Sequence, residues 1–458
     1  MKTLFQCGWI VSCDPVVGTL RHAEMLIEDD QIVAVGRNLG AAADKTVDAS
    51  DMIVMPGLVN AHMHTFQAGL RGIGGNWILS DYFRYVYGNM STLYRPEDNY
   101  IGTLIGALNQ IDNGVTTLFD YCHNITSTEQ AERSIDALEE SGIRALYGLG
   151  SGPLPPALEK AATVPSSARR YPRDRLDHFR KGRLSDDSRL VTLALALPGP
   201  HWSTWEASLA NFELAAEYDL ISSSHATKRP ADALAPDGYR MLAERGLVGP
   251  RHNIVHGNFL EDEELRRLVD LGVTFTSTVQ TEFRGYASDP VVGRVRAFGG
   301  LPSLGVDVEP KVSGDMFREM QLALINVLAD ATRSDARGNA PPRTEPAVRM
   351  EDALAWGTMG GAAALGLADR VGSLTPGKQA DIVMLRSTDL NLFPVNDAVT
   401  TIVEMANGRS VDTVLIAGKY RKRDGKLLYP VEQLRARQQD LLASVAWLME
   451  QGNFRVAA

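Results

Sequence analysis

From residue 53 to about 365 the chain alternates short apolar runs with longer stretches of helical periodicity. The apolar runs lie at 53–64, 115–122, 144–150, 190–201, 220–227, 253–259, 273–282 and 302–308. Between them lie amphipathic segments such as EQAERSIDALEESG (129–142) and DEELRRLVDLG (262–272). Strand and helix in alternation predict parallel strands joined by crossover helices. Eight such units predict a closed (β/α)8 barrel, with its site at the C-terminal ends of the strands. An open doubly wound sheet is the rival, but no G-x-G-x-x-G follows a strand, which weighs against a dinucleotide fold.

The two ends of the chain read differently. Residues 1–55 and 370–430 show short strands and turns, and together predict one small discontinuous β domain around a barrel at 56–369. Residues 431–458 form a C-terminal unit, helical over 431–450. The stretch 151–189 has little periodicity, several prolines and nine Lys or Arg after position 159. It reads equally as a lid over the site or as a solvated insertion.

Composition narrows the class. The 458 residues are 44% apolar and 22% charged, the balance of an ordinary globular protein. A net charge of −10 argues against nucleic acid as the main ligand. The apolar run 190–198 is far shorter than a membrane span requires. Cys7, Cys13 and Cys122 cannot make a disulfide framework or a zinc ribbon, and suit a reducing cytoplasm. The N-terminal apolar stretch, broken by Gln6 and followed by Asp14, reads as a first strand rather than a leader.

The nine histidines carry the candidate chemistry. His62, His64, His225 and His256 fall at or near the ends of predicted strands one, five and six, and His201 ends strand four. His62 and His64 form H-x-H, and residues i and i+2 of a strand face the same side. Imidazole suits zinc, iron or nickel. Asp307 closes strand eight and, across a barrel mouth from these rings, is a candidate metal ligand or proton acceptor. Taken alone it reads as a turn or N-cap residue.

PGLVNAHMH, GVTTLFD, VHGNFLEDEEL, SLGVDV and GSLTPGKQADIVML together resemble the amidohydrolase superfamily, in the branch of the cytosine and guanine deaminases and the atrazine chlorohydrolases. The resemblance implies a distorted (β/α)8 barrel, a small β-sandwich domain built from both chain termini and one divalent metal per chain, zinc first, with iron or manganese as alternatives. It implies His62, His64, His225 and Asp307 as ligands, His256 near substrate or metal water, and His201 as a substrate contact. It also implies a homo-oligomer acting on a small molecule.

Two motifs depart from that pattern. The deaminases carry H-x-x-E at strand five, where this chain has HATK with Lys228. Strand seven reads STVQTEFRG and offers Gln280 and Glu282. Proton transfer then falls to Asp307, Glu282, His256 or Lys228. Lys228 could equally bind a substrate carboxylate or stand solvated. Trp77, Tyr82, Phe83 and Tyr87 are candidates for an aromatic substrate wall, and His123 for a substrate contact. The expected reaction is hydrolysis of a C–N bond in an amide, carbamate, urea or amino-heterocycle by metal-activated water. The alternatives are removal of halide or thiol, or a non-catalytic metal-binding barrel.

Overall fold

The computed structural model describes residues 1–338 and 343–456. Its centre is an eight-stranded parallel sheet whose strands, in order, are Leu58–Met63, Val115–Cys122, Arg144–Gly150, Val191–Leu197, Ser222–Ala226, His252–His256, Thr274–Ser277 and Ser303–Leu304. Seven lie within one of the eight apolar runs, and the sixth, His252–His256, begins one residue before its run. Every residue of the second, third and fourth strands is buried, as expected for parallel strands covered on both faces. The crossover helices carry the expected boundary chemistry. The helix Thr128–Ser141 opens at Ser127, whose side chain accepts from Gln130 N, and closes at Gly142 with φ +72°.

The sheet closes on itself. Met63 bridges Asp307 in parallel. His64 N donates to Asp307 O at 3.0 Å and Asp307 N to His62 O at 3.1 Å. This closure excludes the open doubly wound sheet. It also joins strand one to the segment after strand eight at the residues expected to carry chemistry.

A second eight-stranded sheet is built from both ends of the chain, with Lys45–Pro56 antiparallel to Ile382–Arg386. It encloses its own apolar cluster, including Phe5, Met25, Ile32, Ile382 and Leu415. Gly57 passes the chain from this sheet into the barrel, where a Cβ would come within 2.0 Å of Thr116 Oγ1. The PGKQADIV motif has a structural role here. Asp381 accepts two hydrogen bonds from the Arg144 guanidinium, each 2.9 Å, and both side chains are 2% exposed. The small sheet is thereby fastened to barrel strand three.

The C-terminal helix spans Val431–Gln451, and positions 457 and 458 of the expected terminal unit lie outside the described residues. Beyond the helix, Phe454 packs on Trp77 and Tyr85 and so braces the loop after strand one. The 151–189 stretch holds three short helices, Pro156–Ala161, Ser166–Ala168 and Arg173–Arg180, and Leu176, Phe179 and Leu184 anchor its second half in the core. Among the described residues no helix is long and apolar enough to cross a membrane.

Candidate metal centre and active site

The side chains at the C-terminal mouth of the barrel converge on one point. His62 Nε2 lies 3.3 Å from Asp307 Oδ1 and 3.2 Å from His225 Nε2. His64 Nε2 lies 3.4 Å from the same Asp307 oxygen. Ligands roughly 2.1 Å from a tetrahedral ion stand about 3.4 Å apart, so these separations are those of a ligand shell. The group in which all ligand atoms fall within 4.8 Å of one another is His62, His225, His256 and Asp307. It includes His256, expected by resemblance near substrate or metal water, and leaves out His64, which touches it through Asp307.

The protonation chemistry suits a cation. Burial pushes His62 down to about 3 and His225 well below its ordinary value, so both rings are neutral and keep a lone pair. Burial works to raise Asp307, but hydrogen bonds to His62 and His64 hold its carboxyl well below the usual range. His64 Nδ1 donates to Tyr121 O at 2.8 Å, which orients the ring with Nε2 toward Asp307.

His256 is fixed in the same manner by a carboxylate. Its Nδ1 lies 3.0 Å from Glu282 Oε1. Glu282 is fully buried and also accepts from Thr278 N at 2.8 Å and Ser277 Oγ at 2.5 Å. Both of its oxygens are therefore committed behind His256. His256 and Asp307 adopt φ +70° and +61°, a conformation that costs of order 1 kcal/mol for a residue with a Cβ. At both places the strand ends and the side chain turns into the mouth.

A cavity opens above this cluster. His64, His123, His225, His256 and Asp307 line it, with Tyr82, Phe83 and Tyr87 from the loop after strand one. Tyr121, Trp202, Tyr286, Thr281 and Lys311 complete the wall. None of these last five was singled out from sequence. Tyr286, Thr281 and Lys311 come from irregular segments or a short helix, where periodicity carries no signal.

Five expected residues stand elsewhere. Trp77 packs on Tyr85 and Phe454, outside the cavity. Gln280 is turned to the neighbouring segments, its N–H donating to Glu319 and its Oε1 accepting from Ser313. His201 does not line the cavity. Its Nδ1 accepts from Lys228 N at 3.2 Å, a clamp on the loop after strand five. Glu282 is withdrawn behind His256, outside the cavity lining. Lys228 lies at the outer rim, its Nζ 4.1 Å from the centre of the Trp202 ring.

Comparison with known proteins agrees with this architecture. The profile of the amidohydrolase family matches residues 53–421. A 5-methylthioadenosine/S-adenosylhomocysteine deaminase from Pyrococcus furiosus is 28% identical over 420 residues, covering 90% of this chain and 93% of its own. Among solved structures, an adenosine deaminase from Xanthomonas campestris with bound zinc superposes with a TM-score of 0.77 at 23% identity, covering 98% of each chain. A variant of the atrazine chlorohydrolase from Arthrobacter aurescens gives 0.80 at 20% identity, covering 97% of this chain and all of the other. At these identities the two structures speak to the fold alone.

Proposed function

The chain belongs to the amidohydrolase family of metal-dependent hydrolases, and on that premise we propose that it hydrolyses a C–N bond of a small planar amide or amino-heterocycle. The observation that carries the reading is the convergence of His62, His225, His256 and Asp307 on the floor of an aromatic-walled cavity. Deaminases of adenosine-like compounds among its relatives support the same bond type. Zinc is the ion we assign, because neutral imidazoles and one carboxylate at tetrahedral spacing suit it.

His62, His225 and Asp307 would hold the ion, with His64 and His256 completing or bordering the shell. A divalent ion there supplies Lewis acidity, making water acidic enough to attack at neutral pH. Asp307 is the one carboxylate among the residues lining the cavity. It takes the proton that water gives up and returns it to the departing nitrogen. His256, held by Glu282, keeps its free nitrogen on the side of the reacting carbon. Tyr82, Phe83, Tyr87, Trp202 and Tyr286 bind the planar substrate and exclude water from its faces.

The reading is tested by measuring metal in the purified protein by plasma mass spectrometry, then assaying ammonia or amine release from a panel of amides, ureas and amino-heterocycles. About one tightly held ion per chain and release from some panel members are expected. A chain that holds no metal and takes up none on reconstitution overturns it.

A further inference from the structure

One charged group in the cavity has no role in the chemistry above. Lys311 lies four residues beyond Asp307 and is 4% exposed. Its Nζ is buried and has no hydrogen-bond partner among the described residues. Its backbone is pinned: Lys311 N donates to Val308 O at 3.2 Å, and the Arg284 guanidinium donates to Lys311 O. The ammonium is thus held in the cavity wall by a fixed turn rather than swung there by a mobile loop.

An ammonium with three donors is costly to bury without an acceptor. No carboxylate of the cavity lining reaches it with a hydrogen bond. Asp307 is the single one in the lining, and it is engaged by His62 and His64. The outer rim continues the sign, with Lys228 over Trp202 and Arg229 5.7 Å from the centre of the Phe259 ring. There Asp232 is the one acidic residue in the lining. Two rim cations and one buried cation along an aromatic passage favour an anion that is also planar.

Resting on the proposed hydrolysis, we propose that the substrate carries a carboxylate on its planar framework and that Lys311 grips it while the C–N bond lies over the metal centre. The carboxylate is a handle and is not consumed. Water adds oxygen to the reacting carbon, the C–N bond breaks, and the nitrogen leaves with a proton from that water.

The test is binding of benzoate and of its neutral isostere benzamide, measured by calorimetry on zinc-free and zinc-loaded protein. Wild type is expected to prefer benzoate by at least about tenfold, and Lys311→Met to lose that preference in both forms with benzamide unchanged. The zinc-free measurement separates Lys311 from attraction to the metal. Lys311→Arg, which keeps the charge, is expected to keep most of the preference. Equal benzoate affinity in wild type and folded Lys311→Met overturns the proposal. Turnover is read separately, on substrate pairs with and without a ring carboxylate. If benzoate discrimination depends on Lys311 but no pair is hydrolysed, the anion site stands and the hydrolytic reading falls. If neutral members are hydrolysed and Lys311→Met changes neither binding nor turnover, the hydrolase stands and the anion site falls.

Discussion

Glu282 is the place where the geometry makes its most quantitative demand. It touches neither cavity nor ion. It is fully buried and accepts from His256 Nδ1, Thr278 N and Ser277 Oγ. Glu282→Ala leaves the Thr278 N–H buried with no side-chain acceptor, at about 1–3 kcal/mol, and leaves the His256 Nδ1–H only the longer contact to Thr278 Oγ1 at 3.3 Å, so the imidazole is held less firmly. Loss of such a partner costs roughly 10–100-fold in metal affinity. Glu282→Gln keeps one oxygen for those donors and can offer its N–H to Ser277 Oγ. What it loses is the charge, which makes a hydrogen bond about twice as strong. A deficit near 1 kcal/mol gives about five- to tenfold. The assay is zinc titration against a chromophoric chelator, with circular dichroism to confirm the fold. The graded order wild type, Gln, Ala is the expected outcome. A folded Glu282→Ala that binds zinc within about twofold of wild type would refute the positioning role. So would a Gln variant as weak as Ala, because then the inventory of hydrogen bonds is not the cause.

The remaining predictions concern other levels of the structure. Asp381→Ala orphans the buried Arg144 guanidinium and should cost about 3–5 kcal/mol in urea unfolding, whereas Arg144→Met with Asp381→Leu should recover much of it; a single-variant loss under about 1 kcal/mol would contradict the anchoring role. Burial pushes Asp120 up to about 6 from an ordinary 3.8. A folded carboxyl raised above its unfolded value binds protons more tightly in the native state, so stability is greatest below about pH 4, falls as pH rises to about 6, and is level above. Asp120→Asn in metal-free protein should therefore gain up to about 3 kcal/mol over wild type across that window, and a pH-independent difference between the two sinks the assignment. Lys228→Met removes a partly exposed contact on Trp202 worth about 0.5–1 kcal/mol, so KM should rise about two- to fivefold with kcat nearly unchanged. A large fall in kcat would return Lys228 to the chemistry.

The alternation of apolar runs with amphipathic stretches determined the eight strands and their helices, because burial on both faces of a parallel strand leaves a local, readable pattern. The H-x-H at 62 and 64 was legible for the same reason, since the strand period alone puts the two rings on one side. What the sequence could not set is which distant groups share a space. Asp307 joins His62 because strand eight, only Ser303–Leu304, closes against strand one through the Met63–Asp307 bridge, a pairing across more than 240 residues that no local signal encodes. The pairing of strand five with strand six set the His256 ring beside His225. Glu282 was visible as an acidic residue near strand seven. Only packing turned it away from the cavity and behind a histidine. Lys311, Trp202 and Tyr286 sit outside the strands, where φ and ψ follow tertiary contacts rather than periodicity. Sequence therefore determined the scaffold and the residue types available to a metal, while chain closure and loop packing decided which of them meet, which stand behind, and which cation lines the cavity.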